Sequence, residues 1–337
     1  MTHGNRQLRL ASRPTGIPEP STWSLSTEPV PQPGDGEFVV EVTHISIDPA
    51  MRGWMNAGRS YLEPVGIGAV MRAIALGRVV ASKHAGFAVD DLVSGMFGVQ
   101  EYAVSDGRGV LKLDPQVAPL PTYLGALGGT GLTAYFGLFD VGRPLPGDTV
   151  VVSAAAGAVG SVAGQLARIH GCRVIGIAGG PDKCAWITEE LGFDAAIDYK
   201  NQSVAAELQR HAPAGLDVYF DNVGGEILDA ALTRLARGAR IVICGAISQY
   251  NSHEVRGPKN YLSLLVSRAS MTGMLIFDYA DRYAEAVTAL AGWLRSGELV
   301  AREQVVLGGV EDFPQVLTKL FTGENTGKLV LELRDHA

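Results

Sequence analysis

The sequence predicts an α/β protein of two domains, the first β-rich and barrel-like, the second a doubly wound parallel sheet. Two observations carry this. Thirteen of the 17 prolines lie before residue 147, among short apolar runs (Glu37–Ile47, Arg78–Ala81, Asp91–Val104) separated by Gly and Pro turns, a pattern of short antiparallel strands. Beyond the turn Leu145-Pro146-Gly147-Asp148 the chain changes to strands alternating with helical spacing, which requires crossovers and hence a parallel sheet. A length of 337 residues fits two domains at about 150 residues each.

The elements of the second region follow in order. Thr149–Ser153 is a β-branched strand. The stretch Thr149–Ala167 carries no charge and is long enough to span a membrane, but a β-branched run, then small residues, then helical spacing describes a buried strand turning into a helix. That helix, Gly157–His170, puts Val159, Val162, Leu166 and Ile169 on one face, with Arg168 and His170 in its last turn and Gly171 just beyond. A strand at Cys172–Ala178 and a helix opening at Pro181-Asp182 come next. Strands at Ala195–Ile197, Asp217–Asp221 and Arg240–Gly245 follow, then a helix near Asp281–Ser296. The tail reads as strand Gln304–Leu307, helix Glu311–Phe321, turn Gly323–Gly327 and strand Lys328–Leu333.

Composition narrows the function. The net charge is −7 and no block of five like charges occurs, so a nucleic-acid partner is not expected. Three cysteines without a CxxC spacing exclude a disulfide framework and suit a reducing cytosol. The N-terminal stretch MTHGNRQLRLASRP lacks an apolar segment, so the expected location is cytoplasmic, with no membrane partner. The 42 glycines exceed the usual share and imply tight turns, or backbone brought close to a ligand.

Some of those glycines have chemistry. Ala155-Ala156-Gly157-Ala158-Val159-Gly160 stands between the first strand and its helix. This is the dinucleotide fingerprint with alanine at its first glycine. Gly157 lets backbone approach a pyrophosphate at the helix N-terminus, and Gly160 lets the helix pack close to the sheet. The second strand ends Ile177-Ala178-Gly179-Gly180 without the acid that would accept from an NAD ribose. Gly179 and Gly180 lie beside that ribose, and Lys183 and Tyr199 are placed to meet a 2′-phosphate. NADP is therefore favoured over NAD, although Lys183 also reads as a solvated lysine offset by Asp182.

Metal chemistry finds no ligands. The first domain has no Cys, and His44 and His84 stand alone, so neither a structural nor a catalytic zinc site is expected. No Gly-x-Ser-x-Gly elbow occurs. A nicotinamide enzyme without metal can still reduce a polarised C=C bond, with a hydroxyl stabilising the enolate. Tyr250, after a C-terminal strand end, suits that task; Tyr61 has weaker support, and Tyr261 reads as packing.

Seven collinear stretches then resemble one family: Ser12–Pro18, Asp48–Gly53, Gly131–Leu138, Ala154–Gly160, Asp221–Gly225, Cys244–Tyr250 and Gly323–Lys328. Over nearly its whole length the chain is similar to the zinc-independent medium-chain dehydrogenase/reductase superfamily. The branch it resembles is that of alkenal/enone double-bond reductases, which includes prostaglandin/leukotriene reductases and bacterial curcumin reductase. The resemblance implies a GroES-like barrel domain and a Rossmann domain. It also implies that Gly157, Ala158, Val159, Gly160, Lys183, Tyr199, Asn222, Cys244, Gly245, Ala246, Ile247, Ser248, Tyr250, Met274, Leu275, Ile276 and Asn325 line NADPH. Asn325 in that set brings the tail back to the cofactor, so residues 1–125 and 305–337 are expected to form the GroES-like domain and 126–304 the Rossmann domain. A homodimer through the nucleotide domain is a further implication. Two departures touch the substrate side: Ala50 stands where the family usually has a tyrosine after Asp-Pro, and Val266 where eukaryotic members carry one. The expected activity is NADPH-dependent reduction of the C=C bond of α,β-unsaturated aldehydes and ketones. The enolate would be stabilised by a tyrosine hydroxyl and the cofactor ribose. The alternatives are an NADPH:quinone oxidoreductase and a non-catalytic NADPH sensor.

Overall fold

In the computed structural model, which describes residues 4–252 and 254–334, the chain opens with an antiparallel hairpin of β1 (Gly4–Leu10) and β2 (Trp23–Pro29). The sequence reading places no strand here. β1 buries Asn5 and Gln7 on one face and Leu8 and Leu10 on the other, which blurs the apolar alternation. Those amides are satisfied far along the chain, Asn5 Nδ2 donating to Tyr102 O at 2.8 Å and Gln7 Nε2 to Gln100 Oε1 at 2.7 Å. The chain continues through β3 (Phe38–Ser46), α1 (Ala50–Trp54), β4 (Ala75–Ser82), β5 (Leu92–Gly95), β6 (Tyr102–Ser105) and β7 (Leu111–Lys112). A helix that the reading passes over, α2 (Gly129–Phe136), leads into the second region.

There the elements are β8 (Thr149–Ser153), α3 (Ala158–Ile169), β9 (Arg173–Ala178), α4 (Pro181–Glu189), β10 (Ala195–Asp198), α5 (Val204–His211), β11 (Leu216–Asp221), α6 (Gly225–Leu232), β12 (Leu235–Ile243), α7 (Leu262–Ser267), β13 (Ser270–Gly273) and α8 (Tyr283–Ser296). The strands order as β10-β9-β8-β11-β12-β13, every adjacent pair parallel. This is the Rossmann order, which reverses direction between β8 and β11. Val150, Val151 and Val152 are all fully buried, as a strand covered by helices on both faces must be. The uncharged stretch thus divides into β8 and α3. Among the described residues no helix is long and apolar enough to cross a membrane.

The tail supplies β14 (Glu303–Gly308), α9 (Phe313–Thr322) and β15 (Lys328–Leu333). β15 pairs with β3, in a seven-stranded sheet running β14-β15-β3-β4-β5-β7 with β6 also on β3. β3 is buried along most of its length, with Phe38, Val40, Val42 and Ile45 packed in the core of the unit. Two compact units result: residues up to Leu124, Glu303–Asn325 and from Leu329 onward; and Gly125–Arg302 with Thr326–Lys328. The sequence reading assigns Thr326–Lys328 to the first unit. The turn goes with the second because Gly327 N–H donates to Ala156 O at 2.8 Å and Lys328 N–H to Arg302 O at 2.9 Å.

Two further boundaries differ from expectation. β12 begins at Leu235 and ends at Ile243, not at Arg240 and Gly245. It leaves the ladder at Cys244 because the N–H groups of Cys244 and Gly245 both turn to Asp221 O, at 2.9 and 3.1 Å. The polar, exposed strand β13 carries no apolar pattern that would announce it.

Candidate active site

Because every strand of the second unit runs the same way, their C-terminal ends share one edge of the sheet. That edge collects the loops holding Ala154–Gly157, Gly179-Gly180, Tyr199-Lys200, Asn222, Cys244–Tyr250 and Met274–Ile276. Asn325 and Tyr61 belong to the first unit.

At the end of β8 the backbone turns through Ala154, whose φ is +47°, and Gly157 N–H closes the turn on Ala154 O at 2.8 Å. Gly157 is the extended N-cap of α3 and offers no side chain to the helix start. The first N–H groups of α3 and its positive dipole end therefore suit an anion such as a pyrophosphate. Gly160 sets the helix against the turn: a Cβ there would lie 2.3 Å from Ala154 O. The alanine in place of the fingerprint's first glycine has a physical account. A Cβ on Gly176 of the neighbouring β9 would meet the Ala155 methyl at 2.9 Å, so Ala155 occupies space that Gly176 leaves open.

At the end of β9, Gly180 (φ +97°) caps α4. A Cβ on Gly179 would sit 2.9 Å from the Tyr199 ring and 3.1 Å from Lys200 Cε, so this turn faces the β10 turn at close range. Half-buried Lys183 is lowered from the usual lysine range by burial first and by the charge of Lys200 second. Lys200 thus lies against the Gly179 turn, and Lys183 stands on the helix that this turn opens, where an NAD enzyme would hold an acid; two cations there fit a 2′-phosphate. Sequence reasoning missed Lys200 and also Asp198, the last residue of β10. The Asp198 carboxylate accepts from Gly180 N–H (2.8 Å), Lys200 N–H (3.0 Å) and Asn201 Nδ2 (2.6 Å). Burial opposes its charge, but these donors prevail and hold it below the usual carboxylate range.

The middle of the edge is organised by a third residue the reading did not single out. Asp221, fully buried, accepts from Ser153 Oγ at 2.9 Å, Tyr219 OH at 3.0 Å and the N–H groups of Val223 and Gly224 at 3.0 Å. Burial raises its pKa in spite of those donors. Ser153 Oγ in turn accepts from Asn222 N–H, and Asn222 Nδ2 donates to Ser153 O at 2.7 Å. The ends of β8, β11 and β12 are thereby tied together under Asn222 and the Cys244–Tyr250 turn. In that turn Tyr250 OH accepts from Ala246 N–H at 3.2 Å. A Cβ on Gly245 would come 3.1 Å from the same hydroxyl. On the first unit, Tyr61 OH accepts from Trp54 Nε1 at 3.1 Å.

The cysteines are poor nucleophiles. Burial pushes Cys244 up to about 12 and Cys172 and Cys184 up to about 11, so all three are thiols at neutral pH. Among the described residues no group of three or more His, Cys, Asp or Glu is placed to hold a metal ion.

Comparison with known proteins agrees along the whole chain. Residues 6–113 match the family model described as the N-terminal domain of oxidoreductase, and residues 158–292 the one described as zinc-binding dehydrogenase. The chain is 39% identical to the NADPH-dependent curcumin reductase of Escherichia coli (strain K12), over 98% of this chain and 97% of that one. It is 38% identical to the NADP(+)-dependent 2-alkenal reductase of Nicotiana tabacum, over 97% of each. The crystal structure of CurA from Vibrio vulnificus in complex with NADPH superposes with a TM-score of 0.92 at 44% identity, covering 98% of this chain and 99% of that one.

Proposed function

This chain belongs to the zinc-independent medium-chain dehydrogenase/reductase superfamily, in its alkenal/enone double-bond reductase branch, and on that premise we propose that it reduces the C=C bond of α,β-unsaturated aldehydes and ketones with NADPH. The observation that carries the reading is the sheet edge of the second unit. It presents an uncapped helix N-terminus, a two-lysine corner without an acid at the end of β9, and a tyrosine hydroxyl.

The first N–H groups of α3 hold the pyrophosphate, and Lys183 with Tyr199 holds the 2′-phosphate. Asn222, the Cys244–Tyr250 turn and Met274–Ile276 line the nicotinamide half. When bound, the reduced nicotinamide supplies a hydride to the substrate's β-carbon. Tyr250 donates a hydrogen bond to the carbonyl oxygen, where negative charge gathers as the enolate forms, and so lowers the barrier selectively for the polarised alkene; a proton from solvent at the α-carbon then completes the saturated product. The test follows NADPH absorbance with 2-alkenals, cyclic enones and quinones. Saturated aldehyde or ketone as product is expected; turnover of quinones alone, or none despite tight NADPH binding, would sink the proposal.

The chain acts as a homodimer formed at the β13 edge, in the cytoplasm. Among the described residues β13 has a sheet neighbour on one side only. Beside it α7 buries none of its residues, leaving Leu265 77% and Val266 70% exposed, an apolar surface of the kind that marks an interface. Three free cysteines suit a reducing compartment. Leu265→Lys with Val266→Lys should convert the dimer to a monomer in sedimentation; a wild-type monomer at micromolar concentration would rule this interface out.

A further inference from the structure

We propose that Asp198 is a positioning residue for cofactor choice, holding the Gly179-Gly180 turn and the Tyr199-Lys200 turn together so that the protein prefers a 2′-phosphorylated dinucleotide. The inference rests on the NADPH reading above and deepens it. An acid near the ribose end of such a sheet ordinarily selects against a 2′-phosphate, by accepting from the ribose hydroxyl or by repelling the anion. Asp198 is acidic and close, yet its lone pairs are directed inward. Gly180 N–H, Lys200 N–H and Asn201 Nδ2 all donate to it, and it is 9% exposed. What it joins are the two walls of the corner. Gly180 opens α4, the helix that carries Lys183. Lys200 follows Tyr199, whose ring faces Gly179. Its backbone is tied again by Tyr199 N–H to Ala178 O at 3.1 Å, so the corner is built from the ends of β9 and β10 together. Without the carboxylate the β10 turn loses the bond that fixes Lys200 relative to Lys183, and two mobile ammonium groups would each lose entropy on meeting the phosphate.

The role predicts a separation between position and charge. Asp198 Oδ1 accepts both backbone amides and Oδ2 only the Asn201 amide. Asparagine at 198 keeps the first oxygen, and the Asn201 amide can turn over to accept from the new NH₂ group. The geometry then survives without the negative charge. Titration calorimetry of the full chain with 2′,5′-ADP and with 5′-AMP reads the corner independently of turnover. We expect Asp198→Ala to weaken 2′,5′-ADP roughly tenfold or more, the loss of about one charge-assisted contact, while 5′-AMP changes less than about twofold. Asp198→Asn should bind 2′,5′-ADP at least as well as wild type. Asp198→Ser, too short to reach both amides, is the second variant if the alanine protein melts early and should behave like alanine. Equal losses for both nucleotides, or none for either, would overturn the positioning role, as would an Asp198→Asn protein as weak as Asp198→Ala. A wild-type protein with no preference for 2′,5′-ADP over 5′-AMP would instead overturn the NADPH reading, and this inference with it.

Discussion

Gly160→Ala is expected to reduce NADPH affinity by more than about a hundredfold and to lower the melting temperature of the protein. The added Cβ would stand 2.3 Å from Ala154 O, 2.9 Å from Ala154 C and 3.0 Å from Ala155 Cα. All three are backbone atoms, so no side-chain rotation can relieve the contact. The helix has to move away from the end of β8, and it is poorly placed to do so. Val162, Ala163, Leu166 and Ala167 on α3 are buried, and Gln165 is bonded to both the N–H and the carbonyl of Val300. Overpacking against neighbours that can adjust costs about 1–3 kcal/mol, and neighbours that are themselves main chain put this site at the upper end. The first N–H groups of α3 shift with the helix, and an anion site built from a helix N-terminus tolerates little displacement. NADPH fluorescence titration beside thermal melting separates the two effects. A variant that binds NADPH like wild type would show that α3 does not carry the pyrophosphate.

The parts of this fold that could be read from sequence are those where one physical requirement dominates. Val150–Val152 is buried on both faces, so it reads as an uninterrupted apolar run; the period of α3 marks it as a helix, but it is buried all round from Gly160 to Ala167, while Val159 and Ile169 of the expected face are only partly covered. The corner at Gly179 was legible through an absence, the missing acid, together with the presence of Lys183. What could not be read are residues whose work is to satisfy backbone donors brought together only by tertiary folding. Asp221 gathers the ends of three strands, and Asp198 joins two turns 18 residues apart. In sequence each is merely an acid at the end of an apolar strand. The hairpin β1–β2 was hidden for a related reason: its buried Asn5 and Gln7 find partners near residue 100, and nothing local shows that they are inside. β13 is exposed and polar, and becomes a strand only because β12 offers it a free edge.

Lys183→Ala should raise the KM for NADPH by roughly 10- to 100-fold while leaving that for NADH within about twofold, so the preference between the two falls by the same factor. A charge-assisted contact to a phosphate contributes about 1.5–3 kcal/mol, and every 1.4 kcal/mol is tenfold in affinity. The remote end of NADPH takes no part in the hydride step, so kcat at saturating cofactor should change little. Two accompanying signs distinguish a phosphate contact from lost packing of the lysine stem. Added salt should weaken NADPH binding to wild type more steeply than to the variant, because one cation no longer contributes. Wild-type affinity should also decline as pH rises through the Lys183 pKa, since only the ammonium form attracts the anion. Burial and the neighbouring Lys200 place that decline below the ordinary lysine range, and it should be missing from the variant. If NADPH and NADH instead lose affinity equally, with no change in salt dependence, Lys183 acts through its buried methylenes, and discrimination passes to Lys200 and Tyr199, which face Gly179 from the β10 turn.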